Sequence, residues 1–253
     1  MQMRSALFIL TVFFTFTNSY IAVAASNNND KDQGFSVYEL KRWDATSKQF
    51  SDRYEENIRL IRLGKVSLEN KIYELQAYYP YTKYYDPFSE KLVDQMMLYA
   101  YIVDTSKDRS EVNQALDSFR DLVFKHIAHL GVVDNALKLS QLNPRLGDAV
   151  FFKKVRDLIR STLGRMGNVG TDPDHAYKVI TYAEEIYILE TYGATIEKSE
   201  IYEVKDQFFD VRDIVTEDGE NKQLFFDVTR TIRNVNLTNA LAEYEAKTFI
   251  PLQ

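Results

Sequence analysis

Apolar side chains recur at helical spacing over most of the chain, and this pattern limits the fold more than any other feature of the sequence. Between residues 36 and 166 they return every three or four positions, as the buried face of a helix requires. Short connections separate these segments, and helices joined in this way pack as antiparallel hairpins. The sequence therefore predicts a tetratricopeptide-like helical array over residues 36–166. Its first apolar stripe consists of Leu40, Trp43, Phe50, Tyr54, Ile58 and Ile61.

The pattern changes after the turn-rich segment GRMGNVGTDPD, residues 164–174. The segments FFDVRDIV (208–215) and QLFFDVTRTI (223–232) alternate in polarity and are rich in residues that favour strands. EDGEN (217–221) lies between them as a hairpin loop. We predict a small α+β unit with an antiparallel sheet over residues 171–233, followed by a tail, 234–253, suited to a short helix. The fold class is α+β and mainly α.

The first 25 residues have the composition of a signal peptide. Arg4 precedes an apolar stretch at residues 6–16, and small residues around Ala25 suit cleavage there. An Asn-rich stretch, 26–35, is predicted to be a disordered linker. The chain contains no cysteine, so it has no disulfides, which favours a bacterial periplasm over a eukaryotic exterior. We expect a periplasmic or secreted protein, with a retained N-terminal anchor as the alternative.

Charge and motifs exclude several classes of partner. The formal net charge is −6 and no basic stripe is present, which argues against nucleic acid. The glycine-rich GRMGNVG precedes a predicted strand, whereas phosphate-binding loops follow a strand and open a helix. The sequence thus predicts no cofactor, no catalytic residues and no membrane-spanning segment in the mature chain.

Three histidines raise the question of a metal site. His126 and His129 are predicted three positions apart on one helix, where they could share an ion, and His175 could complete the site. The H-x-x-H pattern lacks the glutamate of a metalloprotease helix, so we predict no metal site. A buried His129 with its ring bonded to the backbone would exclude the shared ion.

Two adjacent glutamates, Glu184 and Glu185, suggest acid–base catalysis. Neighbouring helical residues point about 100° apart, so the two carboxylates would not face each other across a substrate. The pattern Thr181-x-x-Glu184 also matches a capping box, in which Thr181 caps the helix and Glu184 bonds to the Thr181 amide. We favour the capping box.

The stretch YYPYTKYYDPF, residues 78–88, contains five tyrosines. Pro80 should end one helix, and the Asp86–Pro87 pair should start the next. Tyrosine suits such a joint because the ring is buried while the hydroxyl reaches a polar partner. We predict a packed joint in which Tyr81 and Tyr84 stay partly exposed as a candidate contact face.

Three stretches, in this order, resemble an uncharacterised bacterial family of exported proteins that is defined by a domain of unknown function. The similarity covers residues 65–228 and implies a helical-repeat fold with a C-terminal sheet; it implies no activity. The stretches are YYDPF (84–88), the pair Ala128 and His129, and the run from DPDHAYKVITYAEEIYILETYGATI (172–196) through FFDVRDIV to LFFDVT (224–229).

The sequence favours a non-enzymatic helical scaffold that binds a protein or peptide in the bacterial envelope. The alternative is a periplasmic enzyme or a binder of a sugar or peptidoglycan fragment, with a cleft between the array and the sheet. Convergence of Tyr85, Asp86, His129 and Glu185 in one cleft would favour the alternative, and their dispersal over separate faces would favour the scaffold. The predicted contact residues are Tyr81, Tyr84, Tyr85, Asp86, His129 and Glu185.

Overall fold

The computed structural model describes residues 37–164 and 169–248, and these form eight α-helices and four strands. The mainly α, α+β fold class predicted from the sequence is confirmed. The predicted signal peptide, the linker and the end of the tail, residues 249–253, lie outside the described residues. The helices are α1 (Val37–Arg62), α2 (Ile72–Tyr78), α3 (Glu90–Thr105), α4 (Arg109–Lys125), α5 (Leu130–Leu142), α6 (Ala149–Gly164), α7 (Tyr182–Thr191) and α8 (Thr229–Thr248). The strands are β1 (Tyr177–Lys178), β2 (Thr195–Val204), β3 (Gln207–Val215) and β4 (Asn221–Asp227).

The first six helices surround one apolar core. Helix α3 packs against α4, and α5 packs against α6, so each pair forms a hairpin. Helix α5 lies deepest, because eight of its thirteen residues are buried, and its sequence is apolar around most of its circumference. The largest buried side chains of this core include Tyr54, Tyr79, Phe119, Met96 and Leu130.

The four strands form one mixed sheet in the order β1-β4-β3-β2. The predicted antiparallel arrangement holds for β2, β3 and β4, whereas the two-residue β1 pairs with β4 in parallel. The carboxyl ends of β1 and β4 therefore lie at the same edge of the sheet, with Lys178 opposite Asp227. Helix α8 begins two residues after β4, before the predicted start of the tail at residue 234.

The tyrosine-rich stretch lies where the helical array meets the sheet unit. The Pro87 carbonyl accepts a hydrogen bond from the Tyr182 amide at 2.9 Å, and the Pro80 carbonyl accepts one from Asn234 Nδ2 at 2.9 Å. The Tyr85 hydroxyl lies 2.7 Å from the Ile180 carbonyl oxygen. The joint between two helices therefore also attaches α7 and α8 to the array.

The prediction that Asp86–Pro87 starts the next helix is wrong, because α3 begins at Glu90. Ser89 has a φ of 64°, in the left-handed region, and this conformation interrupts the helix before Glu90. Asp86 Oδ1 instead accepts a hydrogen bond from the Phe88 amide at 2.9 Å. The joint is consequently longer than the sequence predicted, with a 3₁₀ turn at Tyr79–Tyr81.

Candidate functional site

A cavity of about 580 Å³ lies between the helical array and the sheet unit. Helices α1, α2 and α6 form one wall, and β1, α7 and the start of α8 form the other. The volume falls in the range of small-molecule sites, which often lie between structural units. The side chains that line it include Trp43, Tyr73, Gln76, Tyr81, Thr162, Lys178, Ile180, Glu184, Asp227, Arg230 and Arg233.

Aromatic rings form the array side of this cavity. The rings of Trp43 and Tyr81 are 5.2 Å apart between centroids, and Phe50 supports Tyr81 at 4.8 Å. Tyr73 also lines the cavity and is 46% exposed. Rings held by neighbouring rings offer flat, rigid, apolar surfaces with polar edges, which suits contact with a small cyclic ligand.

The other side of the cavity carries a buried carboxyl group, that of Glu184, which is 1% exposed. Its Oε2 accepts a hydrogen bond from the Ile180 amide at 2.7 Å, and its Oε1 accepts one from Gln76 Nε2 at 3.3 Å. Gln76 Oε1 in turn accepts a hydrogen bond from the Thr162 hydroxyl at 2.7 Å. This chain of polar groups joins α7 to α2 and α6 at the cavity wall.

Burial raises the pKa of Glu184 to about 7, although the hydrogen bonds from Ile180, Thr181 and Gln76 oppose the shift. Near neutral pH the carboxyl group is therefore divided between its protonated and ionised forms. The protonated form can donate a hydrogen bond to a ligand and carries no charge that would repel an anion. Strongly shifted carboxyl groups beside cavities are frequent at functional sites.

Two further cavities lie on the surface. One of about 480 Å³ shares Trp43, Tyr81 and Asn234 with the main cavity, so the Trp43–Tyr81 pair separates two adjoining spaces. Tyr85 also lines this second cavity. The third, of about 520 Å³, includes Tyr84. The predicted contact tyrosines are thus distributed over different cavities, and all three are half-buried.

The four residues expected to converge in the alternative cleft do not share a cavity. Asp86 and Glu185 line none of the three cavities described above, and neither does His129. Tyr85 lines only the second of them. The cleft between the array and the sheet is present, but different side chains line it.

The two neighbouring histidines do not lie on one helix. His126 follows the end of α4, and His129 precedes α5, so a turn separates them. His129 is fully buried, and its Nδ1 accepts a hydrogen bond from the Gly131 amide at 3.1 Å. His126 Nδ1 lies 2.8 Å from the Tyr79 hydroxyl oxygen. Both rings have structural partners, so the shared-metal hypothesis does not fit this geometry.

The third histidine, His175, is exposed and bonds to Asp172, with its Nδ1 2.8 Å from Oδ1. Within residues 37–164 and 169–248, no group of three histidine, aspartate or glutamate side chains is arranged to hold a metal ion.

The two buried histidines should make the protein less stable at low pH. Burial lowers the pKa of His126 to about 4 and that of His129 to about 3. Because the unfolded chain takes up these protons near pH 6.5, the free energy of unfolding should fall by about 1.4 kcal/mol per pH unit for each histidine below that pH.

We expect His129→Gln to reduce the dependence of the free energy of unfolding on pH between pH 6 and 4. Urea unfolding at several pH values measures this dependence. An unchanged dependence in His129→Gln would contradict this assignment.

Glu185 belongs to a buried ionic network between α7 and β3. Arg212 Nη2 donates to Glu185 Oε2 at 3.2 Å and also to Asp210 Oδ2. Each of these three residues is only 1% exposed to solvent. The guanidinium carbon of Arg212 lies 5.8 Å from the centre of the Tyr182 ring. Glu185 therefore fastens α7 to the sheet and has no surface from which to contact a partner.

The capping box at the start of α7 is only half formed. Glu184 does accept hydrogen bonds from backbone amides before the helix, from Thr181 as predicted and also from Ile180 at 2.7 Å. The prediction for the Thr181 hydroxyl is wrong, because it makes no capping hydrogen bond. Since Glu184 also bonds to Gln76 and lines the cavity, capping accounts for only part of its environment.

Comparison of the chain with family models, curated proteins and solved structures gives no match. The resemblance to an exported bacterial family therefore stays a prediction. In the part of the chain that the structure describes, no helix combines the length and the apolar character needed to cross a membrane.

Sequence reasoning missed most of the residues that line the main cavity. Trp43 belongs to the apolar stripe predicted for α1, and Gln76, Thr162 and Arg230 belong to none of the motifs described above. No local pattern marks them, because they come from four different helices separated by long stretches of sequence. Tyr81 alone among the predicted contact residues lines this cavity.

Proposed function

We propose that the protein binds a small cyclic polar ligand, such as a sugar, in the main cavity between the helical array and the sheet unit. The main support for this proposal is that the aromatic rings of Trp43 and Tyr81 line one side of the cavity and the buried carboxyl group of Glu184 lines the other. A mainly apolar pocket with a few converging polar groups is the usual form of a small-molecule site. The composition of residues 1–25 and the lack of cysteine support a location in the bacterial envelope.

A thermal-shift screen against neutral, amino and acidic sugars and peptidoglycan fragments tests this function. A ligand at about 100 times its dissociation constant adds roughly 2.7 kcal/mol, which corresponds to about 5–10 °C in a chain of this size. We expect such a shift in the wild type and its loss in Trp43→Ala. Tyr101→Ala is the matched control, because Tyr101 is an exposed aromatic residue on α3 outside the cavity. A shift that persists in Trp43→Ala, or a screen without any shift, would contradict the proposal.

A second candidate function is the binding of a protein or peptide partner by the helical array. Its support is an exposed apolar face on α3, where Met97, Leu98 and Tyr101 are each more than half exposed. Apolar side chains grouped on one exposed face are typical of interaction surfaces. A photo-crosslinking residue at position 98 should then capture one discrete partner in cells, whereas the same residue at exposed position 107 should not. Equal crosslinking from both positions would contradict a specific surface on α3.

A further inference from the structure

The main cavity carries basic side chains although the whole chain is acidic. Lys178, Arg230 and Arg233 all line it, whereas the net charge of the chain is −6. Among the side chains that the structure describes, none of the three forms an ion pair with a carboxylate; Arg233 donates to the Asp206 backbone carbonyl. Unpaired cations beside a concave, partly apolar surface attract anions more strongly than isolated surface charges do.

The sheet topology explains why these charges meet. Strands β1 and β4 run parallel, and Lys178 lies opposite Asp227 at their carboxyl ends. Arg230 follows three residues later, in the first turn of α8. In doubly wound α/β sheets, ligands bind outside the carboxyl ends of parallel strands, and the single parallel pair of this sheet places Lys178 and Arg230 at a comparable edge. The start of α8 adds a partial positive charge at the same edge.

The two acidic side chains of the cavity oppose this positive charge only weakly. One oxygen of Asp227 accepts a hydrogen bond from the Thr229 amide at 3.1 Å, so part of its charge is directed to the start of α8. Glu184 lies on the same wall, on α7, but both of its oxygens already accept hydrogen bonds, one from the Ile180 amide and one from Gln76. The side of the cavity formed by β1 and α8 is therefore the place for a negatively charged group.

We propose that the ligand of this cavity is an acidic sugar, whose ring packs on Trp43 and Tyr81 and whose carboxylate or phosphate is held by Arg230 and Lys178. This inference rests on the proposed function, because it assumes that the cavity is a small-molecule site. Guanidinium groups bind carboxylate and phosphate in a planar, two-point arrangement, which gives both affinity and orientation.

The protein carries its own reporter for this test. Trp43 is the single tryptophan of the chain and lines the cavity, so a change in its fluorescence reports occupancy. Titrations with D-glucuronate, D-glucose 6-phosphate and D-glucose compare two acidic sugars with their neutral counterpart. We expect at least one acidic sugar to bind roughly tenfold more tightly than glucose, since hydrogen bonds to charged groups are the stronger ones.

Two variants test whether Arg230 binds the negatively charged group of the sugar. Arg230→Gln should weaken binding of the acidic sugar by roughly tenfold and leave glucose binding unchanged. Arg109→Gln is the matched control, because Arg109 is an exposed arginine on α4 outside the cavity, and it should change neither affinity.

The outcomes separate this inference from the proposed function. A preference for glucuronate identifies a carboxylate and a preference for glucose 6-phosphate identifies a phosphate, and either supports the inference. Equal affinity for glucose and both acidic sugars, unaffected by Arg230→Gln, overturns the acidic-sugar inference and leaves the cavity as a neutral sugar site. No fluorescence response to any of the three sugars overturns the acidic-sugar inference, whereas the absence of any thermal shift across the wider screen overturns the proposed function as well.

Discussion

Replacing Arg212 by methionine is expected to lower the free energy of unfolding by about 3–5 kcal/mol, because Glu185 and Asp210 would both lose the buried guanidinium group that pairs with them. In a chain of this length the change corresponds to a fall of roughly 6–20 °C in Tm. Thermal unfolding followed by circular dichroism measures it directly. The effect should be large because the network joins α7 to β3, one of the two inner strands of the sheet, and all three side chains are buried.

Two further variants show whether the loss of stability in Arg212→Met comes from the loss of its buried charge. Arg120→Met, at an exposed position of α4, should change stability by less than about 0.5 kcal/mol. The triple variant Glu185→Gln, Asp210→Asn and Arg212→Met removes these three charges together and should recover part of the loss. A Tm for Arg212→Met within about 2 °C of the wild-type Tm would mean that the substitution costs 1 kcal/mol or less. Such a small cost would contradict the structural role assigned to the network.

Replacing Tyr79 by alanine is expected to cost about 3–5 kcal/mol, as for other large buried aromatic residues. Tyr79 is fully buried, and its ring lies 5.4–6.1 Å from the rings of Tyr54, Tyr85, His126 and His129. The substitution would leave a void at the point where the array holds the sheet unit. Urea unfolding at pH 7 measures the loss.

Tyr79→Phe separates the hydroxyl from the ring. It keeps the packing but leaves the buried His126 Nδ1 without its partner at 2.8 Å, so a smaller loss of about 1–3 kcal/mol is expected. Tyr101→Ala, on the exposed face of α3, should change stability by less than about 0.5 kcal/mol. If Tyr79→Ala were no more destabilising than Tyr101→Ala, the tyrosine-rich stretch would not be the structural joint described above.

Local patterns in the sequence were sufficient for the elements of the fold. Helical spacing of apolar residues located the helices of the array, because each of them buries one face in a common core. Alternation and the EDGEN loop located β3, β4 and the turn between them. The start of α3 was misplaced because the left-handed conformation of Ser89 has no residue signature, unlike a glycine at the same position.

The polar residues of β3 show that alternating polarity does not always predict which residues of a strand are exposed. Asp210 and Arg212 alternate with apolar residues, and in a half-buried strand such alternating polar residues face water. Helix α7 covers their face of the sheet and supplies Glu185, so both are buried. Burial on both faces of a strand depends on a tertiary neighbour, which no window of local sequence contains.

The site was harder to predict than the fold for the same reason. Glu184 was explained as a helix cap, and one of its oxygens does bond to a backbone amide before α7. Its other oxygen faces Gln76, which is distant in sequence, and the cavity beside it also needs Trp43 and Arg230. A binding site assembled from such separated positions becomes visible only once the array and the sheet unit are packed together.

The most direct test of the account is the crystal structure of the protein with the ligand that gives the largest thermal shift. We expect this ligand to lie between the rings of Trp43 and Tyr81 on one side and the carboxyl of Glu184 on the other. Its negatively charged group should lie beside Arg230. Electron density for the ligand at another surface, with the cavity between the array and the sheet empty, would contradict the proposed function.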